Sequence, residues 1–340
     1  MATLADVARL AGVSSATVSR IINGNPKPVA EALRERVLAA VEELQYVPNA
    51  HAQLLARSHR STIGVIVHDV SDPYFAEIIR GLQRVATENG RLVITCNSYR
   101  NPDRELEYVE LLRAHQVAAI ILAGSGYHDD AFTAKMNSKL RVYQATGGRT
   151  VVIGRHDHVG DAVLPDNEKG GYLLAAELYT LGHRRFGVIA GPEQMTTTTD
   201  RLAGLRRAAR EHGRRLPARR IAYGDFDRTS GMAAAAALLD AEPKLTAMAA
   251  LNDSMAIGAL ALLRSRGIAV PDEVSVIGFD DMPIASDVTP ALTTIRLPLA
   301  DMGARAVILA LQPAEGDDVL RIVRVGAELI RRESAGPARR

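Results

Sequence analysis

The chain has 340 residues, with 41 lysines and arginines, 39 aspartates and glutamates, and one cysteine, Cys96. This length is sufficient for two or three domains with their own cores. The single cysteine excludes an intrachain disulfide framework, and no apolar stretch reaches the ~18 residues of a membrane span. The first apolar stretch contains Asp6 and Arg9, which is not typical of a signal peptide. We therefore expect a soluble, cytoplasmic protein without a membrane partner, and an inert strand-borne thiol at Cys96.

The small charge excess lies at one end of the chain. The formal net charge is +2, and residues 1–60 contain seven basic and five acidic side chains. Residues 61–340 therefore contain equal numbers of basic and acidic side chains, and the whole excess of positive charge falls within the first sixty residues. By itself, an excess of this size is a weak indication of a nucleic-acid partner.

Residues 1–56 show only helical patterns. Thr3 and Asp6 form a capping-box pattern that predicts a first helix, and Gly12 predicts its end. Ser14 predicts the start of a second helix, and a third is predicted over residues 31–44. Each helix has one apolar face, formed by Leu4, Val7 and Ala8 in the first, Val18, Ile21 and Ile22 in the second, and Leu33, Val37, Val41 and Leu44 in the third.

The second predicted helix, SSATVSRIIN at residues 14–23, has features of a DNA-reading helix. In a helix-turn-helix motif the second helix lies in the major groove, with its first residues at the base edges. Arg20 can reach guanine or a phosphate. Hydroxyl groups that can donate to phosphates or bases belong to Ser14, Ser15, Thr17 and Ser19. The alternative is an ordinary helical hairpin that caps a larger domain.

Residues 48–60 follow the third helix. Pro48 ends that helix, and Asn49 can cap one or two further turns that run to about Arg57. An isolated helix this short is marginal in water, so the segment needs a partner to be ordered. The string RSHRST at residues 57–62 is typical of a polar linker.

From Ser61 onward, apolar β-rich runs alternate with amphipathic helices. The predicted strands are IGVIV (63–67), LVIT (92–95), AIILA (119–123), VVIG (151–154), FGVIA (186–190), MAAL (248–251) and VSVIGF (274–279). Near-continuous apolar strands indicate burial on both faces, and hence parallel sheets covered by helices. This alternation of strands and helices extends over some 270 residues, which is too long for one small sheet and predicts an α/β fold of two lobes. A ligand cleft is expected where the carboxyl ends of the strands meet.

The string TLADVARLAGVSSATVSRIIN, followed by YVPNAHAQLLA, resembles the DNA-binding headpiece and hinge of LacI/GalR-family transcriptional regulators. The resemblance continues in SDPYFAEIIRGL, LPDNEKGGYLLAAELYTLGHRRFGVIAGP, DRLAGLRRA, ALNDSMAIGAL, PDEVSVIGFDDM and TPALTTI. It implies a homodimer in which each recognition helix occupies half of a pseudo-palindromic double-stranded operator. It also favours repression of transcription over activation. It also implies an effector domain of the type I periplasmic-binding-protein fold for a small, sugar-like effector.

By this resemblance, Ser15 and Ala16 stand at the main base-reading positions, with Arg20 in support. Because both side chains are small, we expect DNA shape to supply part of the specificity. Leu55 matches the family's minor-groove wedge, an apolar side chain that partly unstacks a base step; the alternative is packing against its own headpiece. The candidate DNA-contacting residues are Thr3, Ser14, Ser15, Ala16, Thr17, Ser19, Arg20, Asn23, Asn49, Ala52 and Leu55.

The resemblance also selects residues for the cleft. Arg201 matches the family's effector-binding arginine, and Asn252 and Asp280 fall on ligand-facing strand ends. Sugar hydroxyls need such convergent donors and acceptors, and aromatic rings stack on C–H faces. The candidate effector-binding residues are Tyr74, Phe75, Thr197, Arg201, Phe226, Asn252 and Asp280. The alternatives are core positions for Phe75 and Phe226, an exposed loop for Thr197, helix caps for Asn252 and Asp280, and a surface ion pair of Arg201 with Asp200 or Glu193.

The predicted domains are a headpiece at 1–47, a hinge helix and linker at 48–60, an effector-binding and dimerisation domain at 61–334, and a disordered tail at 335–340. Within the effector-binding domain, the N-lobe takes about 61–160 and 293–313, and the C-lobe about 161–290 and 318–334. One departure from the family pattern is Ala30, which stands where a serine commonly caps the third helix and which has no side-chain acceptor.

Other motifs carry little weight. HDHVGD at residues 156–161 lacks further spaced ligands and is expected to be a solvated loop. GSG at 124–126 lacks the third glycine of a dinucleotide fingerprint. No catalytic constellation occurs, so the sequence predicts no enzyme, no cofactor and no metal. The rival interpretation, a solute-binding protein of sugar transport, requires a signal peptide and has no use for a helix-turn-helix.

Overall fold

The structure is a computed structural model. It describes residues 2–22, 29–46, 61–157, 159–312 and 320–339. The chain forms two compact units, Met1–Arg60 and Ser61–Arg340. The predicted hinge at 48–60 lies outside the described residues.

The first unit contains the three predicted helices. They are α1 (Leu4–Ala11), α2 (Ser15–Ile22) and α3 (Glu31–Glu43). The capping box at the start of α1 is confirmed, because Thr3 accepts from the Asp6 amide and Asp6 accepts from the Thr3 amide. Gly12 follows α1 with φ 65°, the left-handed conformation that ends a helix at low steric cost. Val7, Val18 and Val37 are fully buried and join the three helices in one small core.

The start of α3 has the predicted weakness. Ala30 occupies the cap position and makes no side-chain hydrogen bond there. An arginine of the same helix makes a contact that the sequence pattern did not indicate. The guanidinium of Arg36 donates to the carbonyl oxygen of Ala11, at the end of α1. This bond satisfies an otherwise unpaired helix carbonyl and ties α3 to the turn between α1 and α2.

The second unit alternates strands and helices. Its strands are β1 (Thr62–Val67), β2 (Leu92–Asn97), β3 (Ala119–Ala123), β4 (Arg149–Ile153), β5 (Asp161–Pro165), β6 (Phe186–Ala190), β7 (Ile221–Tyr223), β8 (Ala247–Ala250), β9 (Ser275–Asp280), β10 (Thr293–Arg296), β11 (Ile322–Val325) and β12 (Glu328–Ile330). Its helices are α4 (Pro73–Glu88), α5 (Pro102–Ala114), α6 (Asp130–Ala145), α7 (Asn167–Thr180), α8 (Thr196–Glu211), α9 (Arg228–Ala241), α10 (Asp253–Ser265) and α11 (Leu299–Leu311). Short 3₁₀ turns lie at Ala218–Arg220 and Pro283–Ser286.

The described strands form two six-stranded sheets, one in each lobe. The first-lobe sheet has the order β11-β5-β4-β3-β1-β2 and is parallel throughout. The second-lobe sheet has the order β12-β10-β9-β8-β6-β7, and only the β12 edge is antiparallel. In β3, Ile121 packs in one hydrophobic core and Ile120 in another on the opposite face. The predicted parallel α/β architecture with helices on both faces is confirmed.

One predicted strand differs from the expectation of burial on both faces. β2 is an edge strand of the first-lobe sheet. Leu92 and Ile94 on this strand are 72% and 40% exposed. Periodicity identifies an apolar strand, but it does not show whether another element covers that strand. Cys96 on the same strand is half-buried, and burial raises the pKa of its thiol.

The lobe boundaries also need correction, because the chain crosses between lobes at other points. β5, expected in the C-lobe, pairs with β4 of the first-lobe sheet. β10, expected in the N-lobe, pairs with β9, and β11, expected in the C-lobe, pairs with β5.

The HDHVGD segment at residues 156–161 is less solvated than expected. Its last residue, Asp161, is buried, and the Asp161 carboxylate accepts a hydrogen bond of 2.5 Å from the Arg321 guanidinium.

The expectation of a disordered tail is wrong for residues 335–339. The Ala338 amide donates to the Leu181 carbonyl at 2.8 Å, and the Gly336 amide donates to Ser275 Oγ at 3.1 Å. His183 is 1% exposed, and its Nε2 lies 3.0 Å from the Gly336 oxygen. Burial lowers the pKa of His183, so the ring is neutral against the tail. Small and basic residues suggest disorder locally, but here the tail forms hydrogen bonds with Leu181, His183 and Ser275 of the second lobe.

Deleting residues 335–340 is therefore expected to destabilise the second unit. The deletion removes four hydrogen bonds, the fourth being from Ser275 Oγ to the Gly336 carbonyl at 3.3 Å. Each is worth roughly 0.5–1.5 kcal/mol net, so the free energy of unfolding should fall by at least about 2 kcal/mol. Urea unfolding followed by circular dichroism measures this change. Deleting only Arg339 and residue 340 is the control and should leave the midpoint unchanged. Equal midpoints for all three proteins would contradict the docking of the tail.

Candidate functional site

The exposed side of α2 carries the predicted DNA-reading residues. Ser15, Ala16 and Arg20 are exposed, whereas Thr17 and Ser19 are half-buried. Ser14 is exposed and caps the helix as predicted: its Oγ accepts from the Thr17 amide at 3.2 Å. The first turn of α2 therefore presents small and hydroxyl-bearing side chains, with an arginine further along the helix.

The other DNA candidates divide into two groups. Thr3 is exposed, and its hydroxyl donates to Asp6 Oδ2 at 2.6 Å within the α1 capping box. The remaining predicted contacts lie outside the described residues; they are Asn23, Asn49, Ala52 and Leu55. The described part of this surface is thus the start of α1 and the exposed side of α2.

All seven predicted effector residues line one cavity in the second unit. Its volume is about 390 Å³ with its open mouth included. The predicted lining residues are Tyr74, Phe75, Thr197, Arg201, Phe226, Asn252 and Asp280. Six further residues complete the lining: His68, Asp72, Arg100, Gly124, Ser125 and Met195. Both lobes contribute lining residues, so the cavity lies where the carboxyl ends of the strands of the two lobes converge.

Arg201, from the second turn of α8, is the most highly bonded side chain of the cavity. It is 2% exposed, and its Nε and Nη2 donate to Asn167 Oδ1 at 2.9 Å and Asp280 Oδ1 at 2.8 Å. Its Nη1 donates to the Leu251 carbonyl, and the guanidinium lies 3.7 Å from the centre of the Phe279 ring. The alternative of a surface ion pair is therefore wrong.

Asp280 and Asn252 lie at the carboxyl ends of neighbouring strands. Asp280 ends β9 with φ 107°, and burial raises the pKa of its carboxyl group to about 7 against the opposing effect of Arg201. Asn252 follows β8 and caps α10, because its Oδ1 accepts from the Met255 amide at 2.9 Å. Its Nδ2 donates to the Phe226 carbonyl at 2.8 Å. Asn252 therefore has the capping role and also lines the cavity.

The aromatic residues take two different positions. Phe75 is 4% exposed and belongs to the hydrophobic core, so its core alternative holds although one edge reaches the cavity. Tyr74 is half-buried, with its ring perpendicular to that of Phe75 at 5.0 Å. Phe226 is half-buried with φ 60°, and its ring covers Gly191, where a Cβ would lie only 2.0 Å from the ring.

Thr197 is not in an exposed loop. Residues 196–199 form the first turn of α8, and Thr196 and Thr198 are each 1% exposed. The Thr197 amide donates to Ser125 Oγ at 3.0 Å. This bond joins the helix of the second lobe to the loop after β3 in the first lobe, directly at the cavity.

The residues that the sequence reasoning missed share one position in the topology. His68 follows β1, Arg100 lies just after β2, and Gly124 and Ser125 follow β3. The carboxyl ends of parallel strands are where α/β sheets bind ligands, so this rule selects them once the strands are known. Burial lowers the pKa of His68 to about 3, with Arg100 and His156 adding to the effect, so the imidazole is neutral at physiological pH.

A buried polar cluster lies behind the first-lobe wall of the cavity. Glu105, 4% exposed, accepts from Tyr127 Oη at 3.0 Å and Ser98 Oγ at 3.2 Å. His68 Nε2 lies 3.5 Å from the same carboxyl group. Burial raises the pKa of Glu105 to about 7. The cluster holds His68 in place at the cavity surface.

Comparison with known proteins settles the family. The family model described as "Bacterial regulatory proteins, lacI family" matches residues 3–49. The model described as "Periplasmic binding proteins and sugar binding domain of LacI family" matches residues 60–333. The chain belongs to the LacI family. It is a DNA-binding transcriptional regulator with a periplasmic-binding-protein-like effector domain, and its family is not one of enzymes.

Individual relatives agree along nearly the whole chain. The HTH-type transcriptional regulator GalR of Escherichia coli (strain K12) is 37% identical over 337 residues, which is 98% of this chain and 96% of GalR. The lac repressor dimer bound to operator and the anti-inducer ONPF superposes with a TM-score of 0.85 at 27% identity, over 98% and 99% of the two chains. The regulator CelR in complex with cellobiose gives 0.72 at 31% identity, over 98% and 100%.

Two structural observations bear on the other sequence expectations. In the described ranges, no helix has both the length and the apolar character needed to cross a bilayer. Among the same residues, no group of three or more histidine, cysteine or acidic side chains is placed to hold a metal ion.

Proposed function

We propose that this LacI-family regulator is a cytoplasmic, dimeric repressor whose operator affinity is set by a small sugar-like effector in the inter-lobe cavity. The observation that carries this proposal is the cavity itself, where two guanidinium groups, two carboxylates, an amide and aromatic rings converge. Such a set suits a ligand with several hydroxyl groups and apolar C–H faces. CelR, a relative of the same architecture, is described in complex with cellobiose.

The operator contact is assigned to the exposed side of α2. Ser15 and Ala16 are the base-reading candidates and Arg20 the supporting one. One hydroxyl and one methyl group distinguish few bases directly, so sequence-dependent DNA shape supplies part of the specificity. The net charge of the first sixty residues is small, and dimerisation therefore contributes by doubling the number of phosphate contacts.

The dimer proposal has support from the second unit. Leu92 and Ile94 on the β2 edge strand leave an apolar surface that a monomer would expose to water. Exposed apolar edge strands are sites of association unless something covers them. The related lac repressor is described as a dimer bound to operator.

Arg20→Ala is expected to weaken operator binding about tenfold, within the ~1–3 kcal/mol typical of an arginine that contacts a base. The operator is first selected from a random DNA library with the full-length protein, and affinity is then measured by fluorescence anisotropy. Arg210→Ala, which removes an exposed charge from α8, is the control and should bind normally. Unchanged affinity for Arg20→Ala would contradict the assignment of the α2 surface.

The effector is tested by thermal shift over sugars and sugar derivatives, followed by operator binding with each stabilising compound. A ligand at 100 times its Kd adds about 2.7 kcal/mol to the stability of the folded state. An effector that lowers operator affinity is an inducer, and one that raises operator affinity is a co-repressor. Because the coupling between the two sites is reciprocal, operator should change the affinity for the effector by the same factor. The sugar assignment fails if no sugar or sugar derivative stabilises the protein.

A further inference from the structure

The two arginines of the cavity differ in how their donors are used. Arg201 donates to Asn167, Leu251 and Asp280, so every nitrogen of its guanidinium has a partner within the protein. Arg100, on the first-lobe side, forms neither a side-chain hydrogen bond nor an ion pair with any other described residue. Its Nε is buried without an acceptor. Arg100 as a whole is half-buried, and Nε is the atom of its guanidinium that is buried without a partner. Buried donors are normally satisfied, so an unpartnered buried donor beside a ligand cavity indicates a missing acceptor.

The backbone around Arg100 is held firmly in an unfavourable conformation. Tyr99 and Arg100 have φ values of 53° and 57°, in the left-handed region that side-chain-bearing residues rarely adopt. The Tyr99 amide donates to the His68 carbonyl at 2.7 Å, and the Asn101 amide donates to the Ser98 carbonyl at 3.0 Å. Ser98 is also bonded to the buried Glu105. Such strain persists where surrounding contacts fix it, and it concentrates at ligand sites.

The charges of the cavity leave Arg100 without a close counter-ion. Asp280 is paired with Arg201 at 2.8 Å. Asp72 is the other acidic lining residue; its Oδ1 accepts from the Tyr74 amide at 3.0 Å to cap α4, and burial raises the pKa of its carboxyl group. Arg100 and Asp72 interact electrostatically without forming an ion pair. His68 is neutral, and the positive charge of Arg100 helps to keep it so.

A guanidinium in this position fits a particular ligand group. Arginine presents its donors as a planar fork, which matches the two oxygens of a carboxylate or a phosphate. A hydroxyl group offers one acceptor oxygen and no charge, so it pairs poorly with the two parallel N–H donors of a guanidinium. The side chain also lies 6.0 Å from the centre of the Phe226 ring, so an anion bound to Arg100 remains next to the aromatic wall of the cavity.

We propose that the effector is a sugar bearing one anionic group, a carboxylate or a phosphate, and that Arg100 binds this group while the second-lobe residues bind the hydroxyls. This inference rests on the proposed sugar-binding function and names the chemical class of the ligand. It makes Arg100 a specificity-determining residue that separates acidic sugars from neutral ones.

Matched ligands test the proposal with the full-length protein by isothermal titration calorimetry. Galactose, galacturonate and galactose 6-phosphate differ only at C6, as do glucose, glucuronate and glucose 6-phosphate. We expect an acidic member of a series to bind at least tenfold more tightly than its neutral parent, and to lose affinity as salt is raised. The uronate and phosphate arms show which anionic group the site takes.

Two variants separate the role of Arg100 from general electrostatics. Arg100→Gln should reduce the preference for the acidic ligand over its neutral parent to near unity. Arg113→Gln, which removes an exposed charge from α5 outside the cavity, should keep the preference. A neutral sugar that binds as tightly as its acidic analogue, or an Arg100→Gln variant that keeps the preference, overturns this inference but leaves sugar binding intact. If no member of either series binds, this inference fails, whereas the sugar proposal is decided by the wider thermal-shift screen.

Discussion

Arg201→Ala is expected to abolish the response to effector and to lower the free energy of unfolding by about 3–5 kcal/mol, as for other buried ion pairs that lose one partner. The substitution leaves the Asp280 carboxyl group buried without its cation, and it removes the donors that satisfy Asn167 and the Leu251 carbonyl. It also removes the group stacked on the Phe279 ring. Urea unfolding measures the stability, and the ligand-induced thermal shift measures the response.

A double variant separates the two consequences of that change. In Arg201→Ala combined with Asp280→Asn, the uncompensated buried carboxylate is gone, so part of the lost stability should return. The effector response should not return, because the guanidinium and the carboxylate are both missing from the cavity. A stable single variant that responds normally to effector would show that Arg201 is neither a structural nor a ligand-binding residue.

The sequence predicts the fold well where local patterns decide the outcome. The runs at 119–123 and 186–190 are the observed β3 and β6, and Thr3, Gly12 and Ser14 occupy their predicted capping positions. Local patterns do not decide which strand lies at an edge, which is why β2 was expected to be buried. The short strands β5, β7, β10, β11 and β12 were also missed, since they are defined by pairing between distant segments rather than by their own composition.

The cavity residues likewise divide into those that the sequence predicted and those that only the tertiary structure reveals. Arg201, Asn252 and Asp280 were predicted from a family motif, and the structure brings them to one cavity. Arg100 was not predicted, because an arginine in a polar turn after a strand is locally indistinguishable from a solvated surface residue. Its significance lies in the lack of an acceptor for its buried Nε, which is a property of tertiary structure.

Close helix packing is what places Arg201 in the cavity. α7 and α8 approach through reciprocal glycines: a Cβ on Gly171 would lie 2.0 Å from the Arg201 carbonyl oxygen, and one on Gly204 would lie 1.9 Å from the Glu168 carbonyl oxygen. Two other helix pairs, α4 with α11 and α9 with α10, show the same arrangement, through Gly81, Gly303, Gly231 and Gly258. The backbone of Arg201 therefore rests directly on α7.

Gly171→Ala is accordingly expected to destabilise the protein and to weaken effector binding together. In an isolated helix this change would stabilise by up to about 1 kcal/mol. Here the added methyl group meets backbone, which cannot rotate away, so α8 must shift as a unit. Overpacking of this kind costs about 1–3 kcal/mol net, and we expect the upper end of that range. Calorimetry should show at least a tenfold loss of effector affinity, since a displacement of α8 moves the guanidinium away from Asp280.

Gly326→Ala is the control for this experiment, because a Cβ at Gly326 has no neighbour within 4 Å. Its stability should change by no more than about 0.5 kcal/mol, as for other surface substitutions. The decisive comparison is between stability and affinity in the Gly171 variant. A lower unfolding midpoint with unchanged effector affinity would mean that the helix contact supports the lobe but does not position Arg201. Loss of both would place the glycine contact in the effector site, since the packing of α7 on α8 then fixes the arginine at the cavity wall.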